Sequence, residues 1–170
     1  KNTIKQLSIW NQKYNKNLTA SINLSPREFE RKELTSLIEN TLKKNQIDAK
    51  LLIIEITEST FLNDNLNQII SLRDLGLKIS IDDFGTGYSS LSYLHEYPID
   101  SIKIDKSFVR NINVDNQKKV LSNSIINLAN NLNLDIVTEG IENNNELDFF
   151  IKKKCTKFQG FYFSKPISRE

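Results

Sequence analysis

The stretch Ile79-Ser80-Ile81-Asp82-Asp83-Phe84-Gly85-Thr86-Gly87-Tyr88-Ser89-Ser90-Leu91 decides how the rest of the chain is interpreted. A short apolar run, typical of a buried strand, leads directly into two adjacent carboxylates, and two glycines that permit positive φ follow. Adjacent carboxylates repel each other, and at a sheet end they stay ionised only where water, a cation or hydrogen-bond donors compensate their charge. The stretch therefore predicts a divalent metal site at Asp82 and Asp83.

Length and composition indicate a soluble, globular chain of one domain. Its 170 residues are 38% hydrophobic and 26% charged, and the net charge of +2 argues against broad binding of nucleic acid or of an anionic membrane. No apolar run approaches the roughly 18 residues of a membrane span. The single cysteine, Cys155, excludes an internal disulfide, and we expect it to be a buried, inert thiol. We expect a cytoplasmic segment without membrane contact, which leaves room for a parent protein anchored through upstream regions.

Strand and helix patterns alternate six times along the chain, which predicts parallel βα units and an α/β fold. In the predicted helices, Leu37, Val120 and Leu121 lie on buried faces, and Asn143-x-x-Glu146 is a capping motif. The pattern predicts strands at residues 18–24, 51–57, 78–82, 101–105, 134–139 and within 157–163, and helices at residues 1–14, 26–44, 65–75, 116–131 and 143–154.

Polar side chains recur at the carboxyl ends of these predicted strands, where (β/α) barrels and open α/β sheets place their active sites. Carboxylate and amide oxygens favour Mg²⁺, Mn²⁺ or Ca²⁺ over thiolate-bound zinc. An aspartate pair can hold two cations, and a nearby lysine can orient water or offset phosphate charge, so the set suits phosphodiester hydrolysis. The strand-end residues are Asn23, Glu55, Asp82, Lys103, Glu139 and Gln159.

Each of these residues also has a simpler structural interpretation. A single strand-end carboxylate is more often a helix cap or an ion-pair partner, and Asp105 has equal claim to be the cap of the turn that follows it. His95 is expected to be a loop surface residue, and Phe161 and Phe163 are expected to be core or rim aromatics rather than base-stacking groups. The recurrence of polar residues at successive strand ends favours a functional site over these separate interpretations.

Six motifs, in the same order along nearly the whole chain, resemble those of EAL domains, the bacterial cyclic di-GMP phosphodiesterases. The stretch from Asp82 to Leu91 is the most specific of them. The motifs are Asn23-Leu24-Ser25, Glu55-Ile56-Thr57-Glu58, Asp82 to Leu91, Lys103-Ile104-Asp105-Lys106-Ser107-Phe108-Val109, Glu139-Gly140-Ile141-Glu142 and Gln159-Gly160.

The resemblance implies a TIM-like (β/α) barrel that hydrolyses cyclic di-GMP to linear pGpG with two Mg²⁺ or Mn²⁺ ions. It implies that Glu139 is the general base and that Lys103 helps to hold the nucleophilic water. Asn23, Glu55 and Asp82 would bind one ion, and Asp82, Asp83 and Glu139 the other.

The resemblance also assigns residues outside the metal ligands. Asp105, Glu142 and Gln159 match positions with supporting or substrate-binding roles. Glu58 would anchor the loop after Asp83, and the family uses that loop to couple homodimer contacts to the metal site.

Two features depart from the family pattern. Thr138 stands where the family commonly has alanine, and we expect it to face away from the site and to be tolerated. The Glu-Ala-Leu motif itself is absent, together with the first two strands. The resemblance therefore implies that residues 1–170 are a partial EAL domain, its C-terminal three quarters, with about six of the eight strands. We expect a longer parent protein and little or no turnover by this segment alone, because one metal-binding glutamate is missing.

Three functions remain open from the sequence. The first is a cyclic di-GMP phosphodiesterase. This function is favoured because the segment retains every metal-site residue that it can supply. The second is a catalytically inactive cyclic di-GMP receptor of the same fold, which signals through a partner. The third is a metal-dependent barrel hydrolase that acts on another phosphate ester, and only the family motifs argue against it.

Overall fold

The computed structural model describes residues 2–61, 65–87, 94 and 96–168, in which helices and strands alternate and the strand order in the sheet follows the sequence. The strands are β1 Ala20–Asn23, β2 Leu52–Thr57, β3 Lys78–Phe84, β4 Ser101–Ile104, β5 Asp135–Thr138 and β6 Lys157–Phe158. The helices are α1 Asn2–Tyr14, α2 Pro26–Phe29, α3 Leu34–Asn45, α4 Glu58–Phe61, α5 Leu66–Asp74, α6 Lys106–Val109, α7 Asn116–Asn131 and α8 Asn144–Lys152. The alternation predicted from the sequence is confirmed, with boundaries that agree within two residues except at the helix predicted over residues 26–44 and at the short β6.

The chain divides into two compact units, of which the first holds the residues up to Ile81 and those between 94 and 100 that the structure describes. In this unit β1 and β2 run parallel, with Asn23 directly opposite Glu55. Because both faces of β2 are covered, apolar residues recur along it, as in buried parallel strands generally. The core of this unit includes Leu7, Phe29, Leu52, Ile54, Ile69, Leu72, Leu77 and Ile79.

The second unit holds residues 82–87 and the described residues from Ser101 onward. Here β4, β5 and β6 are parallel neighbours, so their carboxyl ends lie at one edge of the sheet. Beyond β5 the backbone amide of Glu139 still donates to the carbonyl of Ile104, which fixes Glu139 against the end of β4. The core of this unit includes Ile102, Ile104, Val109, Ile112, Ala129, Ile141 and Phe150.

The predicted helix over residues 26–44 is wrong, because the chain forms two helices, α2 and α3, with a turn between them. Phe29 and Leu34 are both buried, although residues five apart lie about 140° apart around a continuous helix. The break in the helix lets both side chains enter the core. The start of the prediction holds, since the Glu28 carboxylate accepts from the backbone amide and the hydroxyl of Ser25. Leu37, which was expected to be buried, is 41% exposed.

The predicted buried face of α7 is also wrong at its start. Val120 is 63% exposed and Leu121 is 46% exposed, whereas the small residue Ser122 is fully buried. The Ser122 hydroxyl donates to the carbonyl of Phe108, just before the end of α6, and this lets the two helices approach closely. At this turn of α7, close helix packing therefore buries a small side chain in preference to the more apolar neighbouring pair. The buried residues of α7 are Ser122, Ile125, Ile126 and Ala129.

Gly140 and Gly76 both adopt positive φ, of 70° and 92°, but they differ in the space around them. A Cβ at Gly140 would lie 2.4 Å from the Cβ of Lys106, whereas at Gly76 the nearest atom, the Cβ of Ala49, would be 3.5 Å away. Gly140→Ala should therefore lower the free energy of unfolding by about 3 kcal/mol, from backbone strain plus overlap. Gly76→Ala should cost about 1 kcal/mol, from strain alone. Urea unfolding of both variants measures the difference, and equal losses would contradict the packing argument.

Candidate metal centre

The structure places the predicted strand-end residues within the last three residues of a strand or directly after one. In the first unit, Asn23 is the last residue of β1 and lies opposite Glu55 of β2. In the second unit, Asp82 and Asp83 lie in the last part of β3, Lys103 lies near the end of β4, and Glu139 and Gln159 directly follow β5 and β6.

Within the second unit, the structure brings three of the predicted metal ligands together. Carboxylate oxygens of Asp82, Asp83 and Glu139 lie within 4.8 Å of one another. We refer to these three residues as the carboxylate cluster. An all-oxygen, anionic donor set of this kind suits a hard divalent cation such as Mg²⁺, Mn²⁺ or Ca²⁺. The residues present therefore fit the metal that the sequence predicted.

Lys103 forms ion pairs with two members of the carboxylate cluster. Its Nζ lies 3.0 Å from Oδ1 of Asp82 and 2.7 Å from Oε1 of Glu139, and only 5% of its side chain is exposed. A buried ammonium is tolerated only where anions and hydrogen-bond acceptors replace its water. Three carboxylates and one ammonium sum to a net charge of −2, which one divalent cation would offset.

The backbone turns sharply at the second aspartate. Asp83 has a φ of 53°, in the left-handed region, and its amide donates to Oδ1 of Asp82 at 3.1 Å. The Thr86 hydroxyl donates to the carbonyl of Asp83 at 2.8 Å, and Gly85 follows with a φ of 93°. Aspartate is one of the few residues that tolerate this conformation, and the turn directs adjacent side chains toward one place.

Within the carboxylate cluster, the ionised form of Asp83 is disfavoured by its surroundings. Burial raises its pKa above the usual value, and the neighbouring carboxylates of Asp82 and Asp105 raise it further. The ammonium of Lys103 lowers the pKa only in part. A bound cation would favour the ionised form of Asp83, so binding of metal and loss of a proton are coupled at this residue.

Asp105 has the structural role that the simpler interpretation of the sequence gave it. It is the N-cap of α6, and its carboxylate accepts from the backbone amide of Ser107 at 2.8 Å. Burial alone would raise its pKa, but hydrogen bonds from Ser107 and from the amide of Lys106 outweigh burial and lower the pKa. The cap thus holds a second, ionised carboxylate beside Asp83.

A cavity of about 600 Å³ opens next to Glu139 in the second unit. Glu142 and Gln159, predicted as substrate-binding or supporting residues, both line it. Arg110 and Lys165 line it as well, and the sequence interpretation missed them, although each closely follows a strand-end motif. The chemically informative lining residues are Lys106, Arg110, Glu139, Glu142, Gln159, Phe161 and Lys165.

The remaining sequence expectations have separate outcomes. Phe161 is 58% exposed at the cavity and Phe163 is 53% exposed, so they are rim rather than core aromatics. Cys155 is buried, and burial raises the pKa of its thiol, as expected of an inert cysteine. Glu58 is buried at the start of α4. The second half of the loop that Glu58 is expected to anchor, residues 88–91, lies outside the described residues, as does His95.

The chain is similar in sequence to a known protein family and to several curated proteins. The family model of the EAL domain matches residues 1–166. Signaling protein YkoW of Bacillus subtilis (strain 168) is 44% identical over 170 residues, which is 98% of this chain and 21% of YkoW. The chain spans between 18% and 25% of the length of the first curated relatives it matches. Among the described residues, no helix is long and apolar enough to cross a lipid bilayer.

Solved structures show the same similarity. A PaMucR phosphodiesterase in complex with c-di-GMP has a TM-score of 0.93 and 34% identity, and the match covers 98% of this chain and 68% of that one. A manganese and cyclic di-GMP complex of BlrP1 from Klebsiella pneumoniae has a TM-score of 0.85 and 29% identity, over 96% of this chain and 43% of that one. These matches confirm the predicted fold class, an α/β fold of the TIM-like barrel type.

Asp83→Asn should stabilise the metal-free protein at pH 7. The raised pKa of Asp83 means that its ionised form opposes folding above about pH 4, the unfolded value, and that this penalty disappears below it. Asparagine removes the charge and tolerates the positive φ of this position. Melting temperatures in EDTA at pH 7 and near pH 3.5 should show a gain for the variant only at pH 7. Mn²⁺ should stabilise the variant less than wild type. A variant that is less stable than wild type at pH 7 would refute the electrostatic explanation.

Lys103→Gln should cost the metal-free protein about 3 kcal/mol, because it leaves two carboxylates of the cluster without a buried counter-charge. The matched control is Lys157→Gln, since Lys157 pairs with Asp135 at the surface, where both side chains are more than half exposed. The control should cost less than about 1 kcal/mol. Denaturant unfolding in EDTA measures both. Mn²⁺ should raise the melting temperature of Lys103→Gln more than that of wild type, and a smaller rise would contradict the compensation argument.

Proposed function

The chain belongs to the EAL domain family, and from that premise we propose that it is a phosphodiesterase domain that hydrolyses cyclic di-GMP to linear pGpG. The observation that carries the proposal is the contact of Lys103 with both Asp82 and Glu139 next to an open cavity. The similarity to a phosphodiesterase in complex with c-di-GMP supports the substrate.

We assign two divalent cations, Mg²⁺ or Mn²⁺, to the complete site. Asp82, Asp83 and Glu139 would hold one of them, which their mutual distances support. The assignment of Asn23 and Glu55, with Asp82, to the other cation stays a prediction from the sequence. Bound cations would lower the pKa of a water molecule and offset the negative charge that develops on the phosphate.

The residues of this chain have distinct tasks in the proposed reaction. Glu139 is the general base, and its Oε1 is held in place by Lys103 at 2.7 Å. The ammonium of Lys103 would orient the attacking water and add positive charge near the phosphate. Asp105 caps the start of α6 and thereby supports the backbone beside the carboxylate cluster.

The cavity next to Glu139 would bind the rest of the substrate. Glu142 and Gln159 offer hydrogen-bond acceptors and donors at its wall, as groups that recognise a nucleobase or ribose require. We retain two further sequence-based proposals for this family, a homodimer formed through the loop after Asp83 and a loop anchor at Glu58. We also retain the cytoplasmic location expected from the sequence, which a single cysteine without an internal disulfide partner fits.

The proposal is tested by incubating the full-length gene product with cyclic di-GMP and Mn²⁺ and measuring pGpG by chromatography. Asp82→Asn should lower turnover more than about a hundredfold, because it removes a charged ligand from the metal site. Asp135→Asn is the matched control, since Asp135 is exposed and lies at the opposite end of β5 from Glu139, and it should leave turnover unchanged.

Each other outcome has a definite meaning. Binding of cyclic di-GMP without pGpG formation would refute the enzyme and favour the inactive receptor of the same fold. Absence of binding would exclude both, and would favour hydrolysis of another phosphate ester. Unaltered turnover by Asp82→Asn would refute the assignment of Asp82 as a metal ligand.

A further inference from the structure

Glu146 is a buried carboxylate in the first turn of α8, and the proposed reaction does not use it. Only 4% of the residue is exposed. Its Oε2 accepts from the backbone amide of Glu142 at 2.9 Å, and its Oε1 accepts from the backbone amide of Asn111 at 3.3 Å. The two oxygens therefore tie together the loop after β5 and the loop after α6.

These hydrogen bonds differ from those that the sequence motif predicts. In a capping box, the glutamate at the third helical position would accept from the amide of the N-cap residue, here Asn143. The Asn143 side chain does accept from the amide of Glu146, at 3.1 Å. The carboxylate of Glu146 instead accepts from the amide of Glu142, the residue before the N-cap, and from the amide of Asn111, which is 35 positions away in sequence. A buried charge is costly, so its use for a contact between loops needs a reason beyond capping.

The reason that the structure offers is the pair of side chains carried by these loops. Arg110 directly precedes Asn111, and its guanidinium forms an ion pair with the carboxylate of Glu142. Both residues line the cavity next to Glu139. Glu146 thus holds the backbone at one end of each partner in this ion pair. The Lys118 ammonium holds the Arg110 carbonyl as well, at 2.9 Å.

The ion pair between Arg110 and Glu142 is too weak to fix the positions of these two residues by itself. About half of the Arg110 side chain and 41% of the Glu142 side chain are exposed, and exposed ion pairs contribute little stability. Hydrogen bonds from backbone amides to a buried carboxylate are stronger and more directional. The location of the wall of the cavity therefore depends on the buried carboxylate more than on the visible ion pair.

We propose that Glu146 is a positioning residue for ligand binding, which fixes Arg110 and Glu142 at the cavity through the backbone amides of Asn111 and Glu142. The proposal rests on the proposed function, because it takes cyclic di-GMP as the ligand of this cavity. Glu146 acts on substrate affinity and leaves the carboxylate cluster, and hence the chemical step, unaffected. Glu146 is then part of the binding site although it acts only through the backbone of the two loops.

The test compares Glu146→Gln with Asp148→Asn in the full-length protein. Glutamine keeps the shape, but its amide nitrogen would face a backbone N–H, so one of the two hydrogen bonds is lost. Asp148 lies on the same helix, is exposed and accepts only a side-chain hydrogen bond from Asn144 in the described structure, so its variant removes the same charge without affecting the loops. The measurements are the Kd for cyclic di-GMP in Ca²⁺, kcat and KM in Mn²⁺, and amide hydrogen exchange.

We expect Glu146→Gln to raise Kd and KM about tenfold while kcat stays within about twofold. Exchange of the Asn111 and Glu142 amides should become faster in this variant and not in Asp148→Asn. In an Arg110→Ala background, Glu146→Gln should add less than about twofold to Kd, because the two changes act on one unit. The shift in melting temperature caused by Mn²⁺ should be unchanged, and a merely structural role would alter it together with kcat.

Unchanged Kd and KM in Glu146→Gln, additive effects with Arg110→Ala, or equal losses in kcat and in the Mn²⁺ response would each overturn the proposal. If Glu146→Gln does not fold, Glu146→Asp keeps the charge but reaches only one of the two amides, and the same criteria apply. A wild-type protein that does not bind cyclic di-GMP would refute the proposed function. In that case, unchanged exchange of Asn111 and Glu142 would overturn the loop contact separately.

Discussion

The buried ammonium of Lys103, between Asp82 and Glu139, is the interaction on which the second unit depends. Carboxylates at the ends of β3 and β5, on either side of β4, repel one another, and a desolvated pair needs a compensating charge at hydrogen-bond distance. The strand that supplies the ammonium has buried isoleucines on either side of it, Ile102 and Ile104. A shift of β4 by one residue would exchange Lys103 for an isoleucine at the site and would bury the ammonium in the core. The hydrophobic pattern of the strand therefore also fixes the position of the charge.

Sharp turns at or just beyond the strand ends give the site its compact form. Asp83, near the end of β3, and Gly140, just beyond β5, adopt positive φ and turn the chain there. Gly160 lies so close to the backbone of Ile141 that a Cβ there would be 2.0 Å from its carbonyl oxygen. The amide of Ile141 donates to the carbonyl of Gln159, so the loops after β5 and β6 hold each other in place. Because loops rather than strands form the cavity, its shape depends on these few backbone contacts.

The sequence predicted those features that follow from local periodicity. Period-two alternation and strand-end polarity located Lys103, Glu139 and Asp82 correctly, because each property is encoded within a few neighbouring residues. Contacts between residues that are far apart in sequence, which decide which side chains enter the core, are not encoded locally in this way. The local pattern predicts a continuous helix over residues 26–44, whereas the break lets both Phe29 and Leu34 be buried. Arg110 was missed for the same reason, since its relation to the cavity depends on a contact with Glu142, 32 residues away.

Asp83 and Asp105 show how two similar side chains acquire different tasks from their surroundings. Asp105 accepts hydrogen bonds at the start of α6, which lower its pKa and use its oxygen atoms for the structure. Asp83 is raised in pKa by burial and by its acidic neighbours, so the folded chain holds its charge at a cost. A carboxylate whose charge is already satisfied gains little from a cation, whereas one whose charge is unfavourable gains more. The difference in environment therefore makes Asp83 the better metal ligand of the two, and it explains why a helix cap and a metal ligand can lie side by side without exchanging roles.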